Sequence, residues 1–321
     1  MAGKIKVFVD GREGTTGLKI DERLQSRADI ELVSIAPELR KDLQARRDAI
    51  HSADVVFLCL PDEASREAAS LAEGSAAKLI DASTAFRTHA DWAYGLPELK
   101  RGQRDLIRNS SRVSVPGCHA TAFLLGAAPL VDGGLLSPDA SVSAFSISGY
   151  SGGGKKLIAR YESQAPSLHL NAPQPYALGL KHKHLPEMKA RSGLENPPVF
   201  LPAVGNFYQG MLVSIPLNLR DLKKKLTAAE LREFFAERYA GEPCVRVMPF
   251  ADESCLSAGF LDPCLCNGTV RADLFVFGHD TQALVVTRLD NLGKGASGAA
   301  IQCFNLMVGA KELESLELGR D

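Results

Sequence analysis

Residues Lys4–Asp10 (Lys-Ile-Lys-Val-Phe-Val-Asp) form a short, mostly apolar run. The turn Gly11-Arg12-Glu13-Gly14-Thr15-Thr16-Gly17 follows, and then a helical pattern from Leu18 to Ser26. A strand that feeds a helix through a glycine turn leaves a chain few options. It reads as the opening βα unit of a parallel sheet of the kind that binds dinucleotides. Glycines let the backbone approach a pyrophosphate, and the helix N-terminus supplies N–H donors to it. The spacing is Gly-x-x-Gly-x-x-Gly rather than the commoner G-x-G-x-x-G, and a plain tight turn has the same composition. The two flanks are what point to a nucleotide held by Gly11, Gly14, Thr15, Thr16 and Gly17.

The pattern repeats. Ile30–Ile35 and Asp54–Pro61 read as strands, about Glu63 to Glu73 as a helix, and Lys78–Asp81 as a strand. Strands alternating with helices predict a doubly wound α/β sheet. A site for NAD places an acid at the end of the second strand to hold the ribose 2′-hydroxyl. Here Glu31 lies at the start of that strand, whereas Ser34 stands at its end with Arg40 and Lys41 beyond. That arrangement favours a 2′-phosphate, hence NADP. The loops 81–87 and 94–99 follow carboxyl ends of strands, where such sheets bind ligands. Arg87 is a candidate for an anionic group, with an ordinary surface arginine as the plain alternative.

Val113-Ser114-Val115-Pro116-Gly117-Cys118-His119-Ala120-Thr121-Ala122-Phe123 reads as a strand stopped by Pro-Gly, then a helix from Cys118 to about Leu130. A cysteine at a helix start meets free N–H groups and the helix dipole, both of which favour the nucleophilic thiolate. A small buried hydrophobe is the bland reading of the same residue.

Beyond this helix the pattern changes. Ala140–Ser148 alternates like a half-buried strand and runs into Ser148-Gly149-Tyr150-Ser151-Gly152-Gly153-Gly154-Lys155-Lys156. That stretch reads equally as a flexible linker or as an anion cradle of N–H groups and lysines. Tyr176 precedes Lys181-His182-Lys183-His184-Leu185-Pro186-Glu187. No third and fourth zinc ligand accompanies the histidine pair, so general acid/base work near neutral pH is the better reading and no metal is expected. Met211–Leu219, Cys244–Pro249, Gly268–Gly278 and Thr281–Asp290 read as strands, and Thr227–Glu230 as a capping box opening a helix to about Tyr239. Several strands with few helices predict a mostly antiparallel sheet, an architecture that often builds subunit interfaces. Finally, Asp290–Gly298 opens a helix with an apolar face of Ala299, Cys303, Leu306, Met307, Ala310 and Leu313. Gly295, Ala296 and Gly298 at its start permit either close approach to a ligand or tight packing.

At 321 residues the chain exceeds one hydrophobic core, so two domains are expected. A formal net charge of −1 leaves no electrostatic footprint for nucleic acid or an anionic membrane surface. The longest near-apolar run, Ala120 to Val131, is too short to span a bilayer. The strand pattern starts at Lys4, which leaves no room for a signal peptide. Seven scattered cysteines fit reduced thiols in a cytoplasmic protein.

Taken in order, Gly-x-x-Gly-x-x-Gly, the 81–87 segment, Pro-Gly-Cys-x-Ala-Thr, Ser-Gly-x-Ser-Gly, the histidine pair before Pro-Glu, and Asn-Leu-x-Lys-Gly-Ala-Ser-Gly resemble the N-acetyl-γ-glutamyl-phosphate reductase family. That family is related to the aspartate-semialdehyde dehydrogenases. The likeness runs along nearly the whole chain and is to the shorter of the family's two subgroups. His119 departs from the aromatic residue that the longer subgroup carries after its cysteine.

The resemblance implies a split Rossmann-type NADP(H)-binding domain of residues 1–117 and 291–321. An α+β catalytic and oligomerisation domain of residues 118–290 would complete a homodimer or homotetramer. It implies that Cys118 attacks the acyl phosphate of a small substrate to give a thioester, which NADPH reduces to the semialdehyde, a step in arginine biosynthesis. His182, six residues after Tyr176, would take the cysteine proton and later protonate the alkoxide, and His184 could exchange roles with it. Arg87, Ser148, Gly149, Tyr176, His184 and Glu187 would contact substrate. Ser34, Ser83, Ser151, Gly152, Asn291, Gly295 and Ala296 would join the glycine turn around the cofactor. The rival readings are a reductase of another acyl phosphate (aspartyl or aminoadipyl) and a non-catalytic NADP-binding sensor.

Overall fold

The computed structural model describes residues 3–164 and 167–319, so the outermost residues of the expected nucleotide domain (1, 2, 320 and 321) lie outside it. Residue contacts divide the chain into two compact units. Among the described residues, the first comprises 3–97, 102–116 and 296–316; the second comprises 98–101, 117–164, 167–295 and 317–319.

In the first unit the elements run β1 (Ile5–Asp10), α1 (Thr15–Gln25), β2 (Ile30–Val33), α2 (Leu43–Ser52), β3 (Val55–Leu58), α3 (Asp62–Leu71), β4 (Lys78–Asp81), β5 (Ala93–Tyr94), α4 (Gln103–Asn109) and β6 (Arg112–Ser114). Among the described residues the six strands form one sheet of order β2-β1-β3-β4-β6-β5, every pair parallel. Its strands are buried apolar runs, as a sheet covered on both faces requires. Phe8, Val56, Leu58 and Leu79 pack with Ile50 of α2, Ala68 of α3, and Phe86 and Trp92 of the following loop. The last two rings stack at 4.1 Å. Each large apolar side chain buried this way contributes about 1.5–3 kcal/mol.

The second unit begins with α5 (Cys118–Asp132) and β7 (Ser143–Gly149). It continues through α6 (Gly154–Tyr161), β8 (Gln174–Pro175), α7 (Leu185–Ser192), β9 (Val199–Gly205), β10 (Met211–Asn218), α8 (Ala228–Arg238), β11 (Val245–Val247), β12 (Ala272–Gly278) and β13 (Gln282–Leu289). The sheet order is β11-β12-β13-β10-β7-β9-β8, antiparallel except for the β11–β12 and β7–β9 pairs. It is the mixed, mostly antiparallel sheet of an α+β unit. Helix α5 covers one face, with Gly126 set against Ile215 and Val285. The other face leaves Phe145, Val199, Leu201 and Leu284 exposed.

The chain then turns through Gly293–Ser297 into α9 (Gly298–Val308), which packs in the first unit against β4, α1 and α4. Residues Gly298–Met307 are buried on every side, so α9 is an interior helix rather than one with a single apolar face, and Ala310 and Leu313 lie beyond its end. Residues 98–101 and 291–295 fall in the second unit, where Glu98 and Lys294 are paired and each is fully buried. Among the described residues no helix is long and apolar enough to cross a membrane.

Candidate active site

In the first unit the glycine turn sits between β1 and α1. Gly11 has φ +85°, and a Cβ there would stand 2.3 Å from the carbonyl oxygen of Cys59 at the end of β3, so only glycine fits. Gly14 is the residue before α1 and makes no side-chain cap, so the first-turn N–H groups at Thr15, Thr16 and Gly17 are covered by no capping side chain. Exposed Ser34 follows β2. Arg40, 27 residues from Glu13, is ion-paired to it and thereby carried to the glycine turn. Ser83 and Arg87 are both buried and largely committed. Ser83 donates to Asp81 at 2.8 Å, alongside Ser65 at 2.7 Å, and caps the N–H of Ala85. Arg87 donates Nε to the carbonyl of Val115 and Nη2 to that of Ala82, tying the ends of β6 and β4.

In the second unit Cys118 is the first residue of the 15-residue helix α5, half-buried, with Gly117 before it. The helix starts here because Pro116-Gly117 ends the preceding strand and an almost wholly apolar run follows. The Gly117 N–H donates to the Glu187 carboxylate at 3.2 Å, and Glu187 Oε1 stands 4.0 Å from His184 Nε2. Helix α7 thus delivers a buried carboxylate to the positive end of α5.

Three imidazoles gather beside the cysteine. The His119, His182 and His184 ring centres are 4.8–5.6 Å apart, and Phe200 of β9 lies 5.3 Å from both His119 and His182. Burial, and then the charge of Lys183, lowers His182 to about 4. Burial, then the charges of His182 and Lys183, lowers His119 to about 3. Both rings are therefore neutral at physiological pH. Burial and then the proximity of Cys118 push the Tyr176 phenol up, so it stays a hydroxyl. Among the described residues no group of three or more His, Cys, Asp or Glu side chains is arranged to hold a metal ion.

The sequence-predicted residues Ser148, Gly149, Ser151, Gly152 and Asn291 also come together. Asn291 donates to Ser151 Oγ at 3.0 Å and accepts the Gly210 N–H at 2.8 Å. A Cβ on Gly152 would contact Asn291 and Ser148. The N–H groups of Gly149, Tyr150 and Ser151 are already spent on the carbonyls of Gly210, Phe207 and Tyr208. The stretch is hence neither a linker nor a fully open anion cradle, and it continues into α6. Gly295 lies against Cys118: a Cβ there would stand 2.6 Å from the Cys118 Cβ. Ala296 is half-buried in the following turn.

Three features escaped the sequence reading. Ser146 occupies an inward position of β7, signalled by the alternation Ala144-Ser146-Ser148. Asp290 holds its turn by accepting from Gln209, Gly268 and Leu292. The third, the buried Glu98–Lys294 pair, joins residues 196 apart, which no local pattern announces.

Family models match both regions: "Semialdehyde dehydrogenase, NAD binding domain" over residues 6–107 and "Semialdehyde dehydrogenase, dimerisation domain" over residues 118–291. The chain is 50% identical over 316 residues to N-acetyl-gamma-glutamyl-phosphate reductase 2 of Nostoc sp., covering 96% of this chain and 98% of that protein. It is 45% identical over 310 residues to the N-acetyl-gamma-glutamyl-phosphate reductase of Brucella ovis, covering 95% and 99%. Among solved structures, aspartate semialdehyde dehydrogenase II of Vibrio cholerae shares the fold with a TM-score of 0.74 at 16% identity, over 95% of this chain and 99% of that one. The Candida albicans aspartate semialdehyde dehydrogenase solved with NADP has a TM-score of 0.66 at 14% identity, over 96% and 99%.

Proposed function

Since the chain belongs to the semialdehyde dehydrogenase family, among its N-acetyl-γ-glutamyl-phosphate reductases, we propose that it reduces N-acetyl-γ-glutamyl phosphate to N-acetylglutamate semialdehyde and phosphate with NADPH. The observation that carries the chemistry is Cys118 at the start of α5, beside a phenol and a cluster of neutral imidazoles. In this reading the Cys118 thiolate attacks the acyl carbonyl and phosphate leaves, giving a thioester. NADPH supplies the hydride; the resulting thiohemiacetal alkoxide collapses to aldehyde and thiolate. No proton has to be stored on oxygen along this route. A neutral imidazole therefore suffices as an N–H donor to the developing oxyanion, and that is the role we assign to His182 in place of a full proton transfer. Domain limits near residues 117 and 291 go with this reading. So does a substrate role for Tyr176, Glu187 and the 148–152 loop.

The test runs in the reverse direction, as phosphate-dependent reduction of NADP+ by the semialdehyde. N-Acetylglutamate semialdehyde is expected to turn over at least tenfold faster (kcat/KM) than aspartate or aminoadipate semialdehyde, because a pocket that hydrogen-bonds the acetamido group rejects analogues lacking it by ~1.4 kcal/mol or more. Equal or faster turnover of either rival substrate refutes the assignment.

NADP rather than NAD is supported by Arg40, which its pairing with Glu13 brings to the glycine turn beside exposed Ser34. Arg40→Ala is expected to raise KM for NADP+ about tenfold, the loss of one charge-assisted hydrogen bond, and to leave KM for NAD+ unchanged. An equal effect on both cofactors would remove Arg40 from the 2′-phosphate. Assembly as a homo-oligomer is supported by the exposed apolar face of the seven-stranded sheet, where Phe145 sits opposite Leu201 across the β7–β9 ladder. A cytoplasmic setting accords with seven cysteines, none of them in a disulfide.

A further inference from the structure

We propose that His119 is a positioning residue: with Ser146 and Tyr176 it forms a one-way hydrogen-bond chain that ends on His182 and holds that imidazole as its Nε2–H tautomer. The chain is Ser146 Oγ to His119 Nδ1 at 2.9 Å, His119 Nε2 to Tyr176 hydroxyl at 3.0 Å, and Tyr176 hydroxyl to His182 Nε2 at 3.3 Å. This inference rests on the oxyanion-donor role given to His182 above.

One backbone group sets the direction. The His184 N–H donates to His182 Nδ1 at 3.2 Å, so that nitrogen is an acceptor and carries no proton. A neutral imidazole has one N–H, so in His182 the proton is on Nε2. Nε2–H then donates to the Tyr176 oxygen, which leaves the phenolic proton to go to His119 Nε2. That nitrogen is now the acceptor, so the His119 proton lies on Nδ1 and is donated to Ser146. With both rings neutral, as their burial holds them, and the half-buried phenol giving its proton to His119 rather than outward, the direction runs unbroken from His182 to Ser146.

The sequence makes little sense otherwise. Helix α5 reads Cys-His-Ala-Thr-Ala-Phe-Leu-Leu-Gly-Ala-Ala-Pro-Leu-Val-Asp, and His119, only 4% exposed, packs beside Phe200. An apolar ring would fill that space without the cost of burying two polar nitrogens. What an apolar ring cannot do is accept from Tyr176 and donate to Ser146 at once. Without that acceptor the Tyr176 hydroxyl is free to turn its proton toward His182 Nε2, which competes with the tautomer that donates. His182 is thus fixed at both nitrogens, Nδ1 by the chain's own backbone and Nε2 by a phenol whose proton is directed elsewhere. Nε2–H is the group a substrate oxygen takes over from Tyr176.

The test needs two readouts. In the full-length protein labelled with 15N-histidine, long-range imidazole 15N–1H correlation spectra at neutral pH are expected to show His182 protonated on Nε2 and His119 on Nδ1. A His119 proton on Nε2, or a doubly protonated His119, overturns the chain whatever the enzyme's activity. His119→Phe keeps the volume and removes both polar atoms. It is expected to lower kcat roughly 10²-fold with KM little changed, and to let His182 sample both tautomers. His119→Gln retains one acceptor and one donor and is expected to recover most of kcat, which a purely space-filling role would not predict. If His119→Phe turns over like wild type, the positioning role is wrong; if it does not fold, the wild-type spectrum still decides. Correct tautomers in a protein without reductase activity would sink the proposed function and leave the chain standing.

Discussion

Cys118→Ser is expected to lose phosphate-dependent NADP+ reduction by several orders of magnitude while keeping its fold and its affinity for NADP+. A serine hydroxyl ionises far less readily than a thiol and needs a strong neighbouring base to become a nucleophile. His182 and His119 are weak bases for that task, because burial lowers them to about 4 and about 3. The same reasoning predicts selective alkylation. Cys244, Cys266 and Cys303 are buried. Burial pushes the thiols of Cys59, Cys255 and Cys264 up, reinforced by Asp81 and Asp10, by Asp252, and by Asp262 respectively. Iodoacetamide in modest excess should therefore modify Cys118 first, and mass spectrometry of the digested protein locates the adduct. Near-wild-type turnover of Cys118→Ser, or inactivation that tracks another cysteine, would eliminate the thioester route.

The helix that carries Cys118 is legible in the sequence because its signals are local. Pro-Gly stops a strand and a long apolar run follows, so the expected helix from Cys118 to about Leu130 differs from the observed Cys118–Asp132 only at its end. Strand β4 and the Thr227–Glu230 capping box are likewise written in adjacent residues. What the sequence hid is set by tertiary structure. Strand β9 carries Pro202 in its middle, which argues against a central strand, yet it pairs in parallel with β7 along its whole length. Helix α6 begins inside a glycine run that reads as a linker, and α7 is only eight residues long. Helix α9 lacks the single apolar face its sequence suggests, because it is buried on all sides.

The site divides along the same line. Residue types and order along the chain pointed to Cys118, Tyr176 and the histidine pair. Their partners are brought from far away: Glu187 to Gly117 across 70 residues and Tyr176 to His119 across 57. Which histidine faces which neighbour is a property of that packing. His184, expected as a possible alternate base, gives its backbone N–H to His182 and sets its ring 4.0 Å from the Glu187 carboxylate. Gly295, expected at the cofactor, also makes room for Cys118 through its missing side chain.

That turn depends on a buried ion pair, and breaking it should be the most destabilising single change at the site. Lys294 Nζ lies 2.8 Å from both carboxylate oxygens of Glu98, and neither side chain is exposed at all. Arg238 holds the other side of the same segment through the carbonyls of Glu98 and Leu99. Lys294→Met keeps the length and shape of the side chain but leaves a buried carboxylate without the ammonium that balances it. Removing one partner of such a pair costs about 3–5 kcal/mol. For a domain of this size that lowers Tm by roughly 6–20 °C. Activity should fall below what residual folding explains, because the residue after Lys294 packs on Cys118 and the turn between them is no longer anchored. The double variant Glu98→Gln, Lys294→Met removes both charges, so calorimetry should find most of the lost stability restored. A single variant that melts within about 2 °C of wild type, at most about 1 kcal/mol, would show that the pair does not hold the turn. A double variant no more stable than the single would locate the loss in the lysine's packing instead of its charge.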